Sequence, residues 1–211
     1  MESGDSYEKI VIHHQGEEYR MSQHPRQATK IMVIRHAEKP SSAPPPYGVT
    51  AKGEREKESL IVRGWQRAGA LASFFAPANG SFQDSSLAEP QFLYASKPTK
   101  RNGSKRPIET ITPLADKLAI RINFNHPKDE AKEMLEEVFL CAGVVLICWQ
   151  HEFIPEIANK ILGNKTTAPQ DWPEDRFDMV WVFDRNAAGG HYDFKQVPQS
   201  LLMGDWATPI K

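Results

Sequence analysis

Five side chains in this sequence are of the types that move phosphoryl groups: Arg35, His36, Arg106, His151 and Glu152. A guanidinium fork grips phosphate oxygens two at a time. A neutral imidazole can attack phosphorus as a nucleophile. A second imidazole, when protonated, puts positive charge where the transferring oxygens gain negative charge. A carboxyl kept protonated by its surroundings can supply the proton that a leaving alkoxide needs. These residues are far apart in the chain, so only a fold that gathers distant segments can make a site of them.

The elements that carry them suggest such a fold. Ile31-Met-Val-Ile34 is a continuous apolar run of the kind buried on both faces of a sheet, and it leads straight into Arg35-His36-Ala37-Glu38. Gly143 to Trp149 is a second such run, ending in Gln150-His151-Glu152. Gln91 to Ser96 reads as a strand that opens into the basic cluster Lys97 to Arg106. Between these strands lie helical patterns. Trp65, Ala68, Leu71 or Ala72, and Phe75 recur at three- and four-residue steps, as do Ala131, Met134, Leu135, Val138 and Phe139 after Pro127. Pro107 suits the first turn of another helix, with Glu109 favourably placed for its dipole. Pro113 predicts a kink there or a restart capped by Thr112, since an interior proline costs about 3 kcal/mol. A further helix buries Phe153, Ile154, Ile157, Ala158, Ile161 and Leu162 and stops at Gly163. Asp178 to Asp184 is a strand that Asn186 to Gly190 can turn back into Tyr192 to Val197.

Strands alternating with helices predict an α/β three-layer sandwich, a mostly parallel central sheet covered by helices on both faces. In such a sheet the carboxyl ends of the strands share one edge, where ligands bind. Arg35 and His36, the basic loop with Arg106, and His151 all fall at that edge.

The bulk properties narrow the partners. The chain has 211 residues and a formal net charge of −1, which gives no electrostatic argument for nucleic acid or an anionic membrane. Its two cysteines, Cys141 and Cys148, lie in apolar runs and read as buried thiols rather than a disulfide framework. No apolar run approaches the roughly 20 residues of a spanning helix. A soluble, cytoplasmic protein is expected. Residues 1–30 read as a polar, partly ordered arm, with Ile10 to Ile12 as an edge strand, and 31–211 as one domain. His13, His14 and His24 have no cysteine or carboxylate at ligand spacing, so neither metal nor cofactor is expected.

Arg35-His36-Ala37-Glu38 at a strand end resembles the Arg-His-Gly-type signature of the histidine phosphatase superfamily, the phosphoglycerate mutase-like proteins. Arg63-Gly64 with Arg67-Ala68 and Leu71 is similar to that family's first helix. Ser96 and then Arg106-Pro-Ile-Glu-Thr110 resemble its second signature, and His151 after an apolar strand resembles its second histidine. The resemblance runs from about Ile31 to Ile161. It implies a metal-independent phosphomonoesterase in which His36 forms a phosphohistidine, Arg35 and Arg106 bind phosphate, and His151 completes the pocket. Arg101 competes with Arg106 for its role. Glu152, following His151 as an aspartate does in the acid-phosphatase branch, is the expected general acid; Asp129, Glu130 and Glu133 are the alternatives, and Glu38 is expected to partner a cation.

The sequence also departs from the family pattern. Basic residues are inserted between Ser96 and Arg106, and Lys39-Pro40 replaces the Ser and Asn of the mutases, which favours hydrolysis over mutase-type transfer. A catalytically weak phosphate- or phosphoprotein-binding module is the other alternative. The substrate, a small molecule or a phosphoprotein, and the oligomeric state are not readable from the sequence.

Overall fold

The computed structural model describes residues 27–101, 103–186 and 190–211. The Ile10–Ile12 strand, the histidines at 13, 14 and 24, and most of the N-terminal arm lie outside the described residues. The order of elements is β1 (Lys30–Arg35), α1 (Val62–Phe75), β2 (Phe92–Ala95), α2 (Arg106–Leu118), β3 (Ile122–Asn123), α3 (Ala131–Phe139), β4 (Val144–Trp149), α4 (Ile154–Leu162), β5 (Met179–Arg185) and β6 (Tyr192–Pro198). A single 3-10 turn, His151–Phe153, joins β4 to α4.

Six strands form one sheet in the order β3-β2-β4-β1-β5-β6. β1, β4, β2 and β3 run parallel. β5 runs antiparallel to β1, and β6 antiparallel to β5. Alternate residues of each central strand serve opposite faces, as the two-residue period of a strand requires. Ile31 and Val33 of β1 pack with Val145, Ile147 and Trp149 of β4 against α3 and α4, through Met134, Leu135, Val138, Ile154 and Ile157. Met32 and Ile34 pack with Leu146 and Cys148 against α1 and α2, through Leu71, Phe75, Ile111 and Leu114. Burying one such side chain stabilises the fold by roughly 1.5–3 kcal/mol. With both faces covered, β1 and β4 are buried along almost their whole length, which is why they read as unbroken apolar runs.

Of the kink or restart expected at Pro113, the restart is absent: α2 is continuous from Arg106 to Leu118. Thr112 does not cap a new helix; its hydroxyl donates to the Ile108 carbonyl at 2.9 Å inside the same helix. Thr110, Ile111, Leu114 and Ala115 are buried on either side of the proline, and this burial outweighs the backbone bond that proline removes. The two-residue edge strand β3 is too short to show a pattern in the sequence. Both cysteines are buried and free. No helix among the described residues is long and apolar enough to cross a membrane.

Two features of the fold position the site. The parallel register sets Arg35 beside Trp149 and Ala95 beside Cys148, so the residues following β1, β2 and β4 emerge level with one another. The antiparallel entry of β5 brings the chain before it, residues 172–178, back across the carboxyl end of β1, where Arg35 meets its carbonyls.

Candidate active site

His36 is held in place from both sides. Its backbone amide donates to the Trp149 carbonyl at 3.1 Å, extending the β1–β4 ladder by one bond. The next amide, Ala37 N–H, donates to Thr110 Oγ1 at 2.8 Å, and that hydroxyl donates to the Arg106 carbonyl at 2.7 Å. Thr110 therefore ties the start of α2 to the histidine loop. The imidazole Nδ1 lies 2.8 Å from the Ala37 carbonyl. A carbonyl oxygen only accepts, so Nδ1 carries the proton and the neutral ring keeps its lone pair on Nε2. His36 is 3% exposed. Burial, then the positive charges of Arg35, Arg106 and Lys39, pull its pKa from 6.5 down to about 3. This is a neutral imidazole with its orientation fixed, as a nucleophile requires.

Arg35 is 1% exposed. Nη1 donates to the carbonyls of Pro173 at 3.1 Å and Arg176 at 3.3 Å, and also to that of Glu174. The guanidinium carbon lies 3.9 Å from the centre of the Phe177 ring, and the same ring lies 6.3 Å from the His36 imidazole. Nε and Nη2 are buried and have no hydrogen-bond partner among the described residues. Unpaired buried donors are costly, and two on one guanidinium edge match the bidentate grip on an oxyanion. Burial lowers the Arg35 pKa to about 10, so it stays a cation.

Arg106 is fastened differently. Nε donates to Ser59 O at 3.3 Å, Nη1 to Ser104 Oγ at 3.3 Å, and Nη2 to Lys57 O at 2.7 Å and Glu58 Oε2 at 3.4 Å. Its charge still bears on His36, among the causes of that residue's lowered pKa. Arg101 is exposed and lines a separate cleft with Thr99, Pro127, Lys128, Asp129 and Glu130. Of the two competing arginines, Arg106 opens the helix that Thr110 ties to the histidine loop.

His151 opens the 3-10 turn after β4. Its Nδ1 lies 3.1 Å from Glu152 Oε2, but not in line for a hydrogen bond. Glu152 Oε1 accepts from Lys128 Nζ at 2.9 Å. The adjoining imidazole and the Lys128 ammonium hold the Glu152 carboxyl far below the usual carboxylate range, and its side chain is 42% exposed. A general acid has to carry a proton at working pH. The lowered pKa favours the carboxylate form of Glu152 in the ligand-free chain, which counts against the role of acid expected for it. Two further buried polar atoms at this sheet edge, Ser96 Oγ and Gln150 Oε1, lack partners among the described residues.

Glu38 is a cation partner, as expected. Its carboxylate receives Arg67 Nε at 3.1 Å on both oxygens and Arg67 Nη2 at 2.9 Å, and Arg63 Nε at 3.2 Å. Arg67 reaches on to Asp205 Oδ1 at 2.7 Å. Gly64 allows this approach: a Cβ there would lie 2.6 Å from the Glu38 carbonyl oxygen. Glu109 also does more than favour a helix dipole. It accepts from Ser59 Oγ at 2.6 Å and the Leu60 amide at 2.9 Å, anchoring the segment that fastens Arg106.

Sequence reasoning passed over Phe177, Asp205 and the carbonyls of residues 173–176. A phenylalanine outside any periodic run carries no local signal, and backbone carbonyls carry none at all. Among the described residues no group of histidines, cysteines and carboxylates could hold a metal ion.

No family model and no curated protein matches the chain. Solved structures do. An Escherichia coli K-12 protein named for a proposed alpha-ribazole-5'-P phosphatase activity superimposes with a TM-score of 0.51 at 10% identity, over 83% of this chain and 99% of that one. Bacillus stearothermophilus YhfR does so with a TM-score of 0.50 at 14% identity, over 79% and 95%. At these identities the likeness is one of fold.

Proposed function

We propose that this chain, whose fold is the phosphoglycerate mutase-like fold of the histidine phosphatase superfamily, is a phosphatase that hydrolyses phosphomonoesters without a metal, through a phosphohistidine on His36. One observation carries the reading. A buried imidazole with Nδ1 committed to the Ala37 carbonyl stands next to an arginine with two unpartnered buried donors.

In this reading Arg35 takes the phosphoryl oxygens through Nε and Nη2. Arg106 adds positive charge and His151 an imidazole N–H beside them. Nε2 of His36 attacks phosphorus in line with the ester oxygen, the P–O bond breaks, and the electron pair leaves on that oxygen. The phosphohistidine imidazolium keeps its Nδ1 proton on the Ala37 carbonyl. Water then attacks phosphorus, the P–N bond breaks, and the neutral imidazole returns with release of phosphate. With the Glu152 pKa held low by His151 and Lys128, in this reading the leaving oxygen takes no proton from it. A leaving group of low pKa, such as a phenol, needs none.

The second reading is a phosphate-binding module with the pocket but no turnover, favoured by the same ionised Glu152. Hydrolysis of p-nitrophenyl phosphate with excess chelator separates the two. The phosphatase reading expects turnover to survive chelation and His36→Ala to lower it by roughly three orders of magnitude or more. Equal rates for wild type and variant would exclude His36 as nucleophile. No turnover, with inorganic phosphate still raising the melting temperature, would establish the binding module.

A further inference from the structure

A groove of about 570 Å3 lies beside the phosphate pocket, between the proline-rich loop that follows β1 and the charged segment that precedes α1. Its walls include Pro40, Pro44, Tyr47, Arg55, Lys57 and Arg106. Arg106 joins it to the site: its guanidinium lines the groove, and its carbonyl is tied through Thr110 to the amide of Ala37, next to His36. Pro40 lies just beyond the histidine in the chain. A group esterified to a phosphate at His36 has this groove next to it.

The groove has a definite chemistry. The Arg55 guanidinium carbon lies 4.0 Å over the Tyr47 ring, making a cation–aromatic pair, and Tyr47 is 41% exposed. A planar π system stacks on such a surface. Pro40 and Pro44 add apolar surface without amide donors, and Ser41 and Ser42 add hydroxyls beside them. The charge is one-sided. Arg55, Lys57 and Arg106 are cationic, while the one carboxylate in the lining, Glu56, accepts from Lys105 Nζ at 2.7 Å. Among the described residues neither Arg55 nor Lys57 has a carboxylate partner.

The platform is also fixed in place. Val49 bridges Arg55 in antiparallel fashion, and Trp65 Nε1 donates to the Val49 carbonyl at 2.8 Å. Gly48 sits so close to the facing strand that a Cβ would be 2.2 Å from the Glu56 carbonyl oxygen. The groove therefore presents its aromatic face before any ligand arrives, which lowers the cost of binding.

We infer that this groove is the leaving-group site, and that it selects phosphomonoesters of an aromatic group bearing a further negative charge. The inference rests on the assignment of His36 and Arg35 as the phosphate site. An aryl oxide also leaves without a general acid, in keeping with the lowered pKa of Glu152.

Non-hydrolysable phosphonates test the groove independently of turnover. Calorimetric binding of methylphosphonate, benzylphosphonate and 4-carboxybenzylphosphonate is compared in the wild type, Tyr47→Ala and Arg55→Gln. In the wild type the benzyl compound is expected to bind about tenfold tighter than the methyl one, and the carboxybenzyl compound tighter still. Tyr47→Ala should erase the benzyl advantage and Arg55→Gln the carboxylate advantage, each leaving methylphosphonate affinity in place. Equal wild-type affinities for all three, or preferences that survive both substitutions, would overturn the inference. If methylphosphonate binds but p-nitrophenyl phosphate is not hydrolysed, the phosphatase reading fails and the groove is still judged by these affinities. If no phosphonate binds, both fail.

Discussion

Thr110 Oγ1 accepts the backbone amide of Ala37 at 2.8 Å, linking a threonine on α2 to the residue whose carbonyl orients the His36 ring. This one hydroxyl joins the two segments that supply His36 and Arg106, since it also donates to the Arg106 carbonyl. Thr110 is fully buried. Thr110→Val keeps the shape and removes both bonds, leaving the Ala37 N–H unpaired. Stability is expected to fall by about 1–3 kcal/mol in urea unfolding, with a larger proportional loss in kcat than Thr110→Ser, which restores the hydroxyl. Wild-type behaviour of Thr110→Val would deny the link.

Phe177 supports Arg35 from beneath at 3.9 Å. A desolvated cation–aromatic pair contributes on the order of 2 kcal/mol. Phe177→Leu should keep the fold and weaken phosphate binding, seen as a raised KM or a poorer inhibition constant for inorganic phosphate. The loss should be smaller than that caused by Arg35→Ala. An unchanged inhibition constant would mean that the ring does not position the guanidinium.

Glu38 and Arg67 form a buried pair with almost no solvent contact. Removing one partner of such a pair leaves an uncompensated charge and costs about 3–5 kcal/mol. Glu38→Gln is expected to show that loss in chemical unfolding, although Asp205 still pairs with Arg67. A loss below about 1 kcal/mol would show that Asp205 alone suffices.

The pH dependence follows from His36. Its pKa is near 3 folded and 6.5 in the free side chain. Between those values the unfolded chain binds the proton and the folded chain does not, so stability rises with pH across the window and is lost as pH falls from 6.5 towards 3. Unfolding curves for His36→Gln should be flatter than wild type over that range. Parallel curves for the two proteins would mean that His36 titrates normally in the fold.

Glu152 lies in an ion pair with Lys128 and is ionised, so it should matter equally for easy and difficult leaving groups. Glu152→Gln is expected to slow hydrolysis of an aryl and an alkyl phosphate by the same factor. A selective loss on the alkyl ester would restore it as the general acid.

How far the sequence foretold this site depends on the distance over which each relationship acts. β1 and β4 were plain because burial on both faces leaves an unbroken apolar run, and His36 and His151 follow directly from their ends. That these two strand ends lie level could be inferred because parallel strands present their carboxyl ends together. The support of Arg35 could not: its Nη1 reaches carbonyls 138 or more positions away, through a β5 that enters antiparallel. Glu152 shows the same limit. Its place beside His151 is evident in the sequence, but the lysine that pairs with it lies 24 positions upstream and meets it only in the folded chain. The restart expected at Pro113 is absent because the burial of Ile111 and Leu114 around it acts beyond the local propensity.

The central claim is that His36 becomes phosphorylated. Rapid acid-free quenching during turnover of an isotopically labelled aryl phosphate, followed by proteolysis and mass spectrometry, tests it most directly. The expected result is a phosphoryl adduct on His36 that is stable to base, labile to acid, and absent from His36→Ala together with activity. Turnover with no adduct at His36, or with the adduct on another residue, would contradict the account.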